Sequence, residues 1–134
     1  SGLMYLRRVN EGKTLPELTA QVARFAEERG WDDANPNQLL VALLGELGEL
    51  SEHYQWQDAV PDWDEEKRRE VAYEFVDVLF YLLRLAHASG IDVGHYFEEK
   101  LPKLEEKYPA NASAAQHKRN KEEYRRTGRN RLYE

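Results

Sequence analysis

Leu39-Leu40-Val41-Ala42-Leu43-Leu44-Gly45-Glu46-Leu47-Gly48-Glu49-Leu50 begins an apolar run that reaches Trp56, and Val71-Ala72-Tyr73-Glu74-Phe75-Val76-Asp77-Val78-Leu79 begins a second that reaches Ala88. Leu39, Leu43, Leu47, Leu50 and Tyr54 recur at helical spacing in the first run, which predicts a helix from near Pro36-Asn37 to about Gln57. The second run predicts a longer helix, capped by Asp62 or Asp64, with Glu65 and Glu66 at the positive end of its dipole and Gly90 as its stop. Each run carries two acids three residues apart, and residues three apart on a helix share a face.

Burying a carboxylate without a partner is costly. Four of them set among Leu, Val and Phe need neutralising, and a hard divalent cation does so most simply. On the first helix Glu46, Glu49, His53 and Trp56 form one stripe; on the second Glu70, Glu74, Asp77, Tyr81 and Arg84 form another. If the stripes face each other, Glu46, Glu49, Glu74 and Asp77 converge. Oxygen ligands alone select Mg²⁺ or Mn²⁺ over zinc. Such a cluster suits hydrolysis of a phosphate ester or anhydride, where metal neutralises developing charge and lowers the pKa of an attacking water. One E-x-x-E pair is an ordinary feature of a wet helix face. Two pairs inside dense apolar runs, with few basic residues nearby, favour the metal reading. His53 reads as a polar rim residue, and His87 and His95 carry no spacing signal. Gly45 and Gly48 disfavour a helix interior by roughly 1 kcal/mol each, which implies something packed closely against the backbone beside the glutamates.

Outward from these runs, Thr14-x-x-Glu17 reads as a capping box for an earlier helix through Leu15, Leu18, Val22, Phe25 and Ala26 to about Arg29, ended by Gly30. A fourth helix is expected from Val93 to about Lys107, capped by Asp92 and disturbed at Pro102. The fold class is therefore all-α, an antiparallel four-helix bundle spanning residues 1–109. Residues 110–134 are expected to form a basic tail, partly helical or disordered, with fair helix propensity from Ala112 to Arg126 but little apolar face.

The chain has 134 residues, the size of one domain, no cysteine and a net charge of −6. Cysteine-free composition excludes thiolate chemistry and fits a reducing, cytoplasmic setting. No run approaches a bilayer span, so no membrane partner is expected. The tail from Ala110 carries +4, leaving −10 on the rest. An acidic body is a poor nucleic-acid surface, since phosphate neutralisation supplies most of that affinity.

Gly45-Glu46-Leu47-Gly48-Glu49-Leu50 followed by Glu74-Phe75-Val76-Asp77-Val78-Leu79 resembles the E-x-x-E…E-x-x-D signature of the MazG-like, all-α nucleoside triphosphate pyrophosphohydrolases. The resemblance runs from about Leu18 to Pro109. Through Glu28-Arg29-Gly30-Trp31, Tyr54-Gln55-Trp56 and Lys107-Tyr108-Pro109 it is closest to the small dCTP pyrophosphatase branch. It implies hydrolysis of the α–β bond of a nucleotide, with Glu46, Glu49, Glu74 and Asp77 holding Mg²⁺ and one of them serving as general base. Trp31, the loop through Asn35, Trp56 and Tyr81 would line the nucleotide pocket, and Lys100 would meet the phosphates. A base stacks on an indole with about 1–3 kcal/mol. Val22 stands where close relatives often carry histidine, and Leu104 where many carry asparagine. Both remove hydrogen bonds to the nucleotide.

The resemblance further implies a homo-oligomer, a tetramer or a dimer, with pockets completed across subunits. The expected substrate is dCTP or a modified pyrimidine. dUTP, a purine triphosphate or phosphoribosyl-ATP is the alternative within the fold, and a non-catalytic helical protein with an RNA- or partner-binding tail is the alternative outside it. A di-iron bundle would want Glu-x-x-His, which neither pair supplies.

Overall fold

Residues 12–59, 61–110 and 114–128 are described by the structure, a computed structural model. The first eleven residues of the expected helical domain and the end of the expected tail, 129–134, lie outside the described residues. Among the described residues there are five helices and no strand: α1 (Leu15–Glu28), α2 (Pro36–Glu52), α3 (Glu65–Ala88), α4 (Val93–Lys107) and α5 (Ala114–Thr127). None is long and apolar enough to cross a membrane. The chain forms two compact units, divided between Asp92 and Val93.

In the first unit the helix ends follow local chemistry. Both arms of the capping box form at Thr14, whose Oγ1 accepts from the Glu17 backbone N–H while the Glu17 carboxylate reaches back to the Thr14 N–H. That hydrogen bonding to Thr14 holds the Glu17 carboxyl below its ordinary range. The Thr14 hydroxyl also donates to Glu17 Oε1 at 2.8 Å. α1 ends at Gly30, whose φ of 68° places it in the left-handed region. There the Trp31 N–H donates to the Ala26 carbonyl at 2.8 Å and the Gly30 N–H to that of Glu27 at 3.0 Å, a Schellman closure. α3 ends the same way at Gly90, with Ile91 N–H donating to Ala86 and Gly90 N–H to His87. Asn35 caps α2, its Oδ1 accepting from the Asn37 N–H at 2.8 Å, and Asp64 caps α3 by accepting from Lys67.

α2 stops earlier than its apolar pattern predicts. After Glu52 the bonds tighten to His53 N–H on the Leu50 carbonyl and Tyr54 N–H on that of Ser51, and Trp56 then turns left-handed with φ 62°. The expected stripe therefore loses Trp56, which stands off the helix.

α2 and α1 both pack on α3. α2 and α3 are antiparallel: Leu39 near the start of α2 shares a cavity with Arg84 and His87 near the end of α3, whereas His53 past the end of α2 meets Glu74. Among the described residues the buried apolar ones are Ala26, Leu39, Leu43, Val71, Leu83 and Ala86, all in these three helices. Gly45 and Gly48 differ from expectation. A Cβ at either would meet nothing within 4 Å, so no part of the described chain packs against them.

In the second unit α4 runs through Pro102 without a break. Proline there leaves the carbonyl four residues earlier without its helical donor. α5 makes the tail helical from Ala114 to Thr127, and Asn120 Nδ2 donates to the Lys107 carbonyl at 3.2 Å. Tyr108 and His117 meet edge to face at 5.3 Å.

Candidate active site

The antiparallel pairing of α2 and α3 brings the two acidic pairs together. Glu46 and Glu74 are half-buried between the helices, while Glu49 and Asp77 lie exposed beside them. Burial raises the Glu46 carboxyl above its ordinary range, reinforced by the charges of Glu49 and Asp77, by a side-chain hydrogen bond with Glu49, and by the charge of Glu74. Each of the other three carboxylates is thus close enough to act on Glu46. Among the described residues no Lys or Arg pairs with any of the four.

Two oxygens of this cluster are sealed from solvent and accept no hydrogen bond from the described residues: Oε2 of Glu46 and Oε2 of Glu74. An orphaned buried acceptor carries its full desolvation penalty, about 1–3 kcal/mol and more when charged. The Glu74 oxygen does have a close neighbour. His53 Nε2 lies 2.6 Å away with its side chain only 10% exposed, near enough for an ion pair though not aligned as a hydrogen bond. His53 is therefore no rim residue. Its step of seven from Glu46 on the same stripe was the signal, but the proximity depends on the turn after Glu52, which periodicity does not show.

Oxygen donors of high charge and two unsatisfied buried lone-pair sites fit a divalent cation. Among the described residues no three acidic or imidazole groups are already gathered in a geometry that would hold one. Glu46, Glu49, Glu74 and Asp77 are the groups present that could do so.

The residues expected to bind substrate fall in several places. Trp31 follows α1, 45% exposed, with its ring edge-on to Phe25 at 5.9 Å. Asn35 commits its Oδ1 to capping α2. Tyr81 is half-buried one turn beyond Asp77 on α3, edge-on to Phe80 at 5.6 Å. Trp56 is 94% exposed, with none of the described residues covering its ring. Lys100 lies on α4, in the second unit.

Trp31 and Asp32 line an open cavity of about 310 Å³ with Ala26, Leu39, Arg84 and His87. Most of that volume is open to solvent; the enclosed part is about 20 Å³, room for about one water molecule, so this is a shallow cleft. From Glu46 to Leu39 on α2, and from Asp77 to Arg84 on α3, is about seven residues, so the cavity lies about 10 Å along the helices from the carboxylates. Arg84 donates from Nη2 to the Trp31 carbonyl at 3.0 Å. The sequence placed Arg84 on the acidic stripe but gave no sign of this partner.

No family model matches the chain. Curated proteins do. The chain is 37% identical over 105 residues to dCTP pyrophosphatase 1 of Rattus norvegicus, covering 75% of this chain and 62% of that protein. It is 35% identical over 111 residues to dCTP pyrophosphatase 1 of Mus musculus, covering 79% and 65%. For dCTP pyrophosphatase 1 of Homo sapiens the identity is 37% over 103 residues, covering 73% and 61%. The chain thus spans less than two thirds of the length of each of these relatives. Across the aligned region the chain is a homologue of these dCTP pyrophosphatase 1 proteins, and its all-helical fold is consistent with the MazG-like group that its two acidic motifs resemble.

Proposed function

We propose that this protein is a Mg²⁺-dependent nucleoside triphosphate pyrophosphohydrolase that cleaves dCTP, or a modified pyrimidine counterpart, between the α and β phosphates. The products are the nucleoside monophosphate and pyrophosphate. The observation that carries this reading is the convergence of Glu46, Glu49, Glu74 and Asp77 across antiparallel α2 and α3, with two sealed oxygens that lack donors. The name shared by the relatives points to dCTP among the nucleotides.

Mg²⁺, with Mn²⁺ as a substitute, would supply positive charge against the triphosphate oxygens and lower the pKa of the attacking water. The four carboxylates would hold it, and one of them accepts the proton that the water gives up. His53 supports Glu74 from the side through its 2.6 Å contact, limiting where that carboxylate can turn. Trp31 and Tyr81 offer ring faces for the base, and Trp56, unpacked within the described chain, offers a third. Asn35 and Lys100 complete the proposed set. Asn35 retains its amide donors beyond the cap, and Lys100 supplies a cation toward phosphate.

The same reading includes assembly. Leu40, Val41, Leu44 and Leu47 on α2, and Tyr73, Phe75, Val76 and Leu82 on α3, are all exposed in the single chain. Apolar surface of this extent supports a homo-oligomer, a tetramer or a dimer, that completes the expected four-helix bundles. Clearing the cytoplasmic nucleotide pool is the proposed cellular role.

Pyrophosphate release from a panel of canonical and modified nucleoside triphosphates, with Mg²⁺ and with EDTA, tests the reading beside an Asp77→Asn control. Metal-dependent release, fastest for dCTP or a modified pyrimidine and lost in the control, is expected. A fully active Asp77→Asn protein would sink the scheme.

A further inference from the structure

Arg84 is a member of the α3 stripe to which the proposed function gives no role. It lies two turns beyond Asp77 on the same face, about 10 Å along the axis. Its Nη2 donates to the Trp31 carbonyl at 3.0 Å, joining residues 53 positions apart. Its guanidinium carbon stands 5.4 Å from the centre of the Trp31 ring and 5.8 Å from that of Phe80, within cation–π range of both. The segment it grips is otherwise held by local bonds. Trp31 N–H donates to Ala26, Ala34 N–H donates to the Trp31 carbonyl at 3.2 Å, and Asn35 caps its own helix. The Trp31 carbonyl therefore takes two donors, one from its own turn and one from the helix that carries Glu74 and Asp77.

The turn bonds fix the backbone of the loop to α1 and α2. The indole meets α3 directly through Arg84, and indirectly through Phe25, whose ring is edge-on to both Trp31 and Phe80. A planar guanidinium donates to the carbonyl while lying near the ring of the same residue, and its rigid fork holds that pair of contacts with less entropy loss than a flexible ammonium would. The cavity that both side chains line opens at this point, with Ala26 and Leu39 as apolar lining.

We propose that Arg84 is a positioning residue: it ties the Trp31 loop to α3, so that the indole stands at a set distance from the carboxylates and receives the base of a nucleotide whose phosphates reach them. This rests on the nucleotide reading above. Arg84 is only half-buried and the Trp31 carbonyl keeps its bond from Ala34, so removing the side chain leaves the fold intact.

The test uses the full chain with Arg84→Gln, Arg84→Lys, Trp31→Ala and the Trp31→Ala/Arg84→Gln double variant. Two quantities are read: steady-state pyrophosphate release from dCTP with Mg²⁺, and amide hydrogen exchange without nucleotide. Loss of one charged hydrogen bond predicts a KM for Arg84→Gln about tenfold higher with kcat changed less than about twofold. Exchange across residues 31–35 should accelerate about fivefold while the interior of α3 is unchanged. Arg84→Lys should recover little of either. In the Trp31→Ala background, Arg84→Gln should add nothing to KM, because Arg84 acts through the indole. An unchanged KM in an active protein overturns this inference and leaves the proposed function standing. A KM increase that persists undiminished without Trp31 also overturns it, since Arg84 would then touch the nucleotide itself. A parent protein that releases pyrophosphate from no nucleotide overturns the proposed function, and the inference falls with it.

Discussion

Glu46→Gln should make the metal-free protein more stable while abolishing its response to Mg²⁺. Glu46 has an ordinary carboxyl pKa of 4.5 when unfolded and a raised one when folded, chiefly from burial and then from Glu49 and Asp77. Between those two values folding takes up a proton, so stability falls as pH climbs through that window. Above the window the ionised group is a constant cost to the folded state. Glutamine keeps the size, removes the charge and brings a donor that Glu49 or Glu74 can accept. Relief of one unsatisfied acceptor amounts to about 1 kcal/mol or somewhat more. For a chain of this size that raises Tm by about 4 °C.

Calorimetry in EDTA and in excess Mg²⁺, at about pH 5 and about pH 8, reads both halves of the prediction. In EDTA the gain should be present at the higher pH and shrink at the lower, where Glu46 takes up its own proton. Mg²⁺ at about a hundred times its dissociation constant stabilises a parent that binds it by about 2.7 kcal/mol. The variant should lose most of that increment together with its activity. A variant less stable than the parent at the higher pH in EDTA, or one with an undiminished Mg²⁺ shift, refutes the reasoning.

Leu83→Ala, at a side chain 2% exposed, should cost about 2–5 kcal/mol, read as a lower denaturation midpoint with an unchanged slope. Thr14→Ala removes the hydroxyl that anchors the α1 box and should cost about 1 kcal/mol. Because Glu17 is held below its ordinary value, its contribution is present above that value and lost as pH falls through the lowered one, so the gap between Thr14→Ala and parent should narrow in acid. Leu44→Glu, at a side chain 59% exposed, should leave far-ultraviolet dichroism intact and shift sedimentation toward the monomer if α2 forms the subunit contact.

What the sequence made legible is what neighbours along one helix determine. The three-residue spacing of Glu46 with Glu49 and of Glu74 with Asp77 fixed which carboxylates share a face, and Thr14, Pro36, and Asp62 or Asp64 marked where helices begin, though not that Asn35 is the cap of α2. The end of α2 was not legible. Tyr54 and Trp56 continue the apolar pattern, yet the backbone leaves the helix at His53 and passes through a left-handed tryptophan. Periodicity reports burial along an assumed helix and is blind to a residue that sits outside it at 94% exposure. His53 against Glu74 and Arg84 against the Trp31 carbonyl were hidden for a related reason. Both join different elements, and their partners are set by the register of α2, or of the loop before it, on α3.

Register also explains why the glycines of α2 matter. Val41, Leu44, Gly45 and Gly48 fall at helical steps on one exposed face, away from Glu46 and bordered by Glu49, which is four residues from Gly45. Two interior glycines weaken α2 by about 2 kcal/mol together, relative to alanine. Nothing in the described chain offsets that cost, because no atom approaches within 4 Å of where either Cβ would stand. Small residues beside exposed Val and Leu allow another helix to approach the α2 backbone closely, which larger side chains would prevent. The same face would then serve the proposed assembly, with Glu49 at its border and Glu46 turned away from it toward α3. Gly48→Ala separates these roles: added helix propensity alone should raise Tm, whereas a close helix contact at this face makes the variant dissociate with its α2 more helical than before.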